Sequence, residues 1–137
     1  MNLRRFLLFI LILGLAGTAA ELLVSGHTET PVQWTPLVLI ALAVPALIWQ
    51  GASGRPLTAV MVLFLISGCV GTVLHNRAKM EFQLESDPSL SGWDLFLKSF
   101  DSKTPPALAP GTMIQLGLLG LAYQAAGKSA KGARAPS

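Results

Sequence analysis

Few side chains in this chain can do chemistry. His27 and Glu29 lie two residues apart in SGHTETPVQWTP, and His75 and Glu81 lie further on in HNRAKMEFQLE. Neutral imidazole nitrogens and carboxylate oxygens suit zinc or a similar divalent ion, so these four residues form one candidate metal set. His27 and His75 alone are candidate axial ligands for haem, provided they face each other across a cavity. Glu21, the one charged residue between Phe6 and Val24, is a third kind of candidate: an intramembrane carboxylate that could couple to proton movement. Each has a plainer reading. His75 can be a hydrogen-bonded histidine at a helix end, His27 and Glu29 can be solvated loop residues, and Glu21 can accept a hydrogen bond across helices.

The elements that position these residues are apolar. The chain has 137 residues, of which 52% are hydrophobic and only 12% charged. Soluble domains carry about 25% charge, so the composition argues for a membrane-embedded helical unit. The stretch Leu57–Asn76 holds no charge until Arg77 and is long enough to cross a hydrocarbon core of about 30 Å at 1.5 Å per residue. Similar runs begin at Phe6 and Ala107, and a weaker one, with Pro45 inside it, holds 13 residues if it starts after Pro36 or 18 if it starts at Val32. The expected spans are 6–24, 36–50, 57–76 and 107–126, followed by a disordered basic tail over 127–137. Two alternatives stand beside this count. Arg4 and Arg5, the apolar run and Thr18-Ala19-Ala20 also fit a cleaved signal peptide, and the second run also fits a re-entrant segment.

Small residues recur at helical spacing in three of these runs. Gly14 and Gly17 lead to Thr18 and Glu21, Gly68 and Gly71 to Thr72 and His75, and Gly117 and Gly120 to Gln124. Such stripes let helix backbones approach closely. They place Glu21, His75 and Gln124 on packing faces, with Glu21 looking into the bundle. Past Asn76 the alternation KMEFQLE reads as a strand in isolation, but Arg77, Glu81 and Glu85 also align at i, i+4 and i+8. We read the helix as continuing to about Glu85, stopped by Asp87-Pro88. On that helix His75 lies about 160° round from Arg77. Trp93, Phe96, Leu97 and Phe100 then form the stripe of a short amphipathic helix, lying on the membrane surface or on the bundle.

The fold expected is therefore all-α: an up-down four-helix membrane bundle with a short amphipathic helix in the third loop. Arg4, Arg5, Arg55, Lys128, Lys131 and Arg134 fall at one set of span ends, which places both termini in the cytoplasm. The net charge of +3 does not indicate nucleic-acid binding. The single cysteine, Cys69, excludes an internal disulfide and a CxxC pair. No nucleophile elbow, HExxH, P-loop or dinucleotide fingerprint is present, so no catalytic residue is assigned.

The segments HNRAKMEFQLE, SLSGWDLF and PALAPGTMIQLGLLGLAY resemble a group of uncharacterised small bacterial integral membrane proteins. The resemblance implies an inner-membrane location and brings no activity or cofactor. Three functions follow as expectations. The first is a non-enzymatic accessory or assembly subunit, in contact with lipid and with other membrane subunits or itself. The second is a metal- or haem-binding membrane protein, and the third a small proton-coupled transporter using Glu21.

Overall fold

The computed structural model describes residues 2–49, 54–100 and 108–132. These residues form five helices and no strand: α1 (Leu3–Val24), α2 (Pro31–Ile48), α3 (Arg55–Ser86), α4 (Gly92–Phe100) and α5 (Leu108–Gly132). By length and composition α1, α2 and α3 can each cross a membrane. In α5, Thr112, Gln115 and Gln124 dilute the apolar residues, and this helix falls outside that set. Large apolar side chains such as Phe9, Leu13, Val38 and Ile66 remain exposed on the helix surfaces, as expected where lipid rather than water is the solvent.

Two long helices pack around α5, which contacts both α1 and α3; α2 contacts α3 and, more lightly, α1. The α3–α5 seam is set by glycine. A Cβ placed on Gly68 would stand 2.8 Å from the Pro110 carbonyl oxygen and 3.0 Å from the Ile114 nitrogen, and one on Gly117 would stand 2.9 Å from the Met61 carbonyl oxygen. Backbone faces backbone there, so neither neighbour can move aside cheaply. Gly71 rests against Pro110, Gly120 against Met61, and Gly14 against the Leu116 side chain. Gly17 meets nothing within 4 Å among the described residues. The core is filled by Leu11, Leu15, Ala43, Leu57, Met61, Phe64 and Leu116.

Polar ties mark which helix ends meet. Arg4 donates to the Tyr123 hydroxyl at 3.3 Å, with its guanidinium 5.0 Å from the ring centroid. Gln124 Nε2 donates to the Gly54 carbonyl at 2.8 Å. The starts of α1 and α3 thus gather round the C-terminal half of α5, bringing Arg4 and Arg55 to the end where Lys128 lies.

Two boundaries differ from the sequence reading, those of α2 and α5, while the end of α3 agrees with it. Helix α2 starts at Pro31, next to the longer alternative from Val32 and not at 36, and the preceding loop shrinks to 25–30. Proline fits a first helical position, where its missing N–H is no loss, and Gln33 Oε1 accepts from the backbone N–H groups of Glu29 and Thr30 at 2.8 and 3.0 Å. Helix α3 runs on through Ser86, so the alternating KMEFQLE segment is helical. Helix α5 continues to Gly132, into the segment read as a disordered tail; Gly127 lies against the Arg4 guanidinium. Residues 133–137 of that tail lie outside those described.

Helix α4 exists where the stripe predicts it, and of the two placements expected for that stripe the one against the bundle is not adopted. Leu95 and Ser99 face the bundle, while Trp93, Leu97 and Phe100 are exposed. The hydroxyl of Ser99, fully buried, lies 3.0 Å from Asn76 Oδ1 and 2.7 Å from the Phe96 carbonyl and shares its single proton between them, tying α4 to α3. The aromatic rings stack on one another instead, Trp93 on Phe96 at 5.0 Å and Phe96 edge-on to Phe100 at 5.1 Å.

Candidate functional site

His27 is placed by the way α1 ends. Gly26 takes a left-handed φ of +68°, which a residue with a Cβ adopts only at a cost. The His27 N–H then reaches the Leu22 carbonyl at 2.9 Å and the Gly26 N–H reaches the Leu23 carbonyl at 3.3 Å. This paired closure of a helix C-terminus turns the chain back so that His27 overlies the bundle. His75 comes from α3, near the end of its uncharged stretch. The two rings are near-parallel, with an interplanar angle of 16° and centroids 6.0 Å apart. Both residues are half-buried.

The histidine pair stands at one end of a cavity of about 450 Å³. Its walls come from the C-terminal end of α1, the N-terminal half of α2, α3 from Leu63 to Ala78, and α5 at Pro110, Thr112 and Met113. Near the histidines the lining is mixed, with Glu21, Thr30, Gln33 and Thr35. Away from them it is apolar, with Leu39 buried and Leu63, Ile66 and Val70 exposed along its open side. Beyond that depth the core is solid, since Leu11, Ala43, Leu57, Met61 and Phe64 are fully buried. The cavity is therefore blind toward the end that carries Arg4 and Arg55.

Of the residues singled out from the sequence, His27, His75 and Glu21 line this one space. Glu21 stands at its rim, exposed, rather than inside the helix packing. Glu29 is exposed in the loop, its backbone N–H bound to Gln33, and Glu81 is exposed on α3, about 120° round the helix from His75. Among the described residues no group of three or more His, Cys, Asp or Glu side chains is placed to hold a metal ion. The set His27, Glu29, His75 and Glu81 is thus divided: the histidines meet, and the carboxylates do not join them. For haem, two imidazoles must aim ring nitrogens at one iron; here their ring faces are opposed. Gln124 and the glycines of the three stripes lie away from the cavity, apart from Gly71, which lines it. Gln33 and Thr30 were not singled out. The signal for them was Thr30-Pro31 with Gln33 three residues on, a helix start that falls beside the cavity.

Asp87 caps the far end of α3. Its Oδ1 accepts from the Ser89 N–H at 3.0 Å and the Ser89 hydroxyl at 2.6 Å, and these bonds hold the carboxyl below its ordinary pKa.

No family model, curated protein or solved structure matches this chain.

Proposed function

We propose that the chain is a non-enzymatic accessory or assembly subunit of a bacterial inner-membrane complex. In this reading α1, α2, α3 and α5 cross the bilayer up and down, both termini are cytoplasmic, and α4 lies outside. The ties of Arg4 to Tyr123 and of Gln124 to Gly54 support the antiparallel arrangement. The positive-inside bias of Arg4, Arg5, Arg55 and Lys128 supports the orientation.

One observation carries the partner role. Every other glycine of the three stripes rests against a neighbouring helix, whereas Gly17 meets none of the described residues, flanked on the same exposed surface by Leu13, Ala16 and Ala20. A small-residue face left uncovered in a membrane is where another helix packs. A photoreactive amino acid at position 17, in cells, should give a discrete protein adduct, and one at Val38 should give none. Equal adducts from both positions, or none from 17, would remove the partner reading. Cysteines at Ser89 and Ser129, tested in a Cys69→Ser background, should label from opposite sides of the membrane. Labelling from one side would remove the four-span arrangement.

A further inference from the structure

The level at which α4 sits is set by α3. The Ser99 hydroxyl lies beside Asn76 Oδ1, and Asn76 ends the charge-free stretch that begins at Leu57. As helix, that stretch rises about 30 Å, the thickness of a hydrocarbon core. Asn76 therefore stands where the core gives way to headgroups, and the end of α4 stands there with it. The same contact sets the side. Val62, Cys69 and Val73 lie within about 60° of Asn76 round α3, and all three are exposed. They form a lipid-facing side of α3. Helix α4 packs on the continuation of that side past the end of the core, so it projects over lipid.

The surface of α4 divides into three sectors. Trp93, Leu97 and Phe100 share an arc of about 60°, with Leu95 and Ser99 centred about 140° to one side and Asp94 and Lys98 about 120° to the other. Leu95 and Ser99 are buried, and the residues of the other two sectors are exposed. A helix beside a bundle at a membrane surface has three neighbours: protein at its flank, water above and lipid beneath. The three sectors match them in kind, for the bundle takes Leu95 and Ser99 and water suits Asp94 and Lys98. The third sector holds large apolar side chains, with Trp93 and Phe100 braced on the Phe96 ring between them. Tryptophan and phenylalanine in such a sector bury into the layer between headgroups and acyl chains.

We propose that α4 is an interfacial anchor whose Trp93, Leu97 and Phe100 face docks into the phospholipid leaflet at the Asn76 end of α3, fixing the depth of that helix. This rests on α3 crossing the bilayer, and on neither the number of spans nor a partner at Gly17. The test uses the full chain with Cys69→Ser in phosphatidylcholine nanodiscs, a nitroxide being attached to one cysteine at a time. At Leu97→Cys and Phe100→Cys, oxygen should relax the label severalfold more than a water-soluble nickel chelate does, at a depth shallower than that of Val62→Cys. At Asp94→Cys and Lys98→Cys the chelate should win. A second measurement leaves α4 unaltered: with Trp34→Phe and Trp49→Phe, lipid brominated near the head of its chains should quench Trp93 fluorescence more than lipid brominated near the chain ends. Circular dichroism checks that each variant is folded. Chelate contact at 97 and 100 equal to that at 94 and 98 puts the face in water and overturns the proposal. Labels there that neither reagent reaches put protein against the face, a second copy or another chain, and overturn it too. Trp93 emission indifferent to the bromine overturns the docking independently of any label. A Val62→Cys label outside the hydrocarbon core removes the span of α3 itself, a failure distinct from that of α4.

Discussion

Helix α3 has two very different neighbours. Toward α5 its Gly68 backbone lies so near Pro110 and Ile114 that a methyl group would collide with main chain. Toward α1 and α2, the same helix looks across a cavity of about 450 Å³ to a histidine held on a turn. The first side is a dry seam built from absent side chains, and the second is a space bounded by α1 and α2, which touch each other only lightly. A helix pair joined backbone to backbone is stiff enough to support a hollow on its other face. The contrast explains why small residues cluster in α3 and α5, while the chemically capable residues sit at the end of α1 and the end of the uncharged stretch of α3.

The seam should be the more sensitive side. Gly68→Ala or Gly117→Ala forces backbone apart, with an expected loss of about 1–3 kcal/mol, and Gly68→Leu should abolish the folded bundle; denaturant titration in detergent followed by circular dichroism measures both. Next in size is the turn. Gly26→Ala meets a left-handed φ and should lose about 1–2 kcal/mol, with altered His27 imidazole resonances in NMR if the ring stacking depends on that turn. Ser99→Ala removes the bond to Asn76 and should cost about 1 kcal/mol. Its signature is local: faster amide hydrogen exchange across α4 and unchanged exchange in the seam.

Gly17→Ala is the opposing case. It meets none of the described residues, so only helix propensity changes, and the isolated protein should gain up to about 1 kcal/mol. A loss comparable with that of Gly68→Ala would erase the distinction between covered and uncovered small residues. The smallest effect is at the rim of α3. The Asp87 carboxyl is held below its ordinary pKa by Ser89, so its contribution is present above the unfolded carboxylate value and fades as pH falls through the lower folded value. Protection of the Ser89 amide should therefore drop at acid pH, and Ser89→Ala should remove most of that dependence.

Much of this arrangement is written locally in the sequence, and the parts that are not have identifiable causes. The continuation of α3 through KMEFQLE follows from the i, i+4 alignment of Arg77, Glu81 and Glu85. The early start of α2 was obscured by Pro31 and Pro36, which read as loop although one of them occupies a first helical turn. The stripe of α4 left two placements open, and the choice between them rests on Leu95 and Ser99, which meet α3 outside that stripe. Gly17 and Gly68 look alike in sequence; only the packing of α5 separates them. The meeting of His27 with His75 depends on a closed turn at Gly26 and on three helices at once, which no local spacing encodes.

That meeting is the hinge of the account, and one experiment addresses it directly. In a Cys69→Ser background, His27→Cys and His75→Cys together should be joined within one chain by a short bifunctional thiol reagent, in membranes, while either cysteine paired with one at Glu81 should be joined far less. The crosslinked species should run as a single compact monomer. Absence of the 27–75 link, or links found only between chains, would contradict a cavity closed at its outer end by these two histidines.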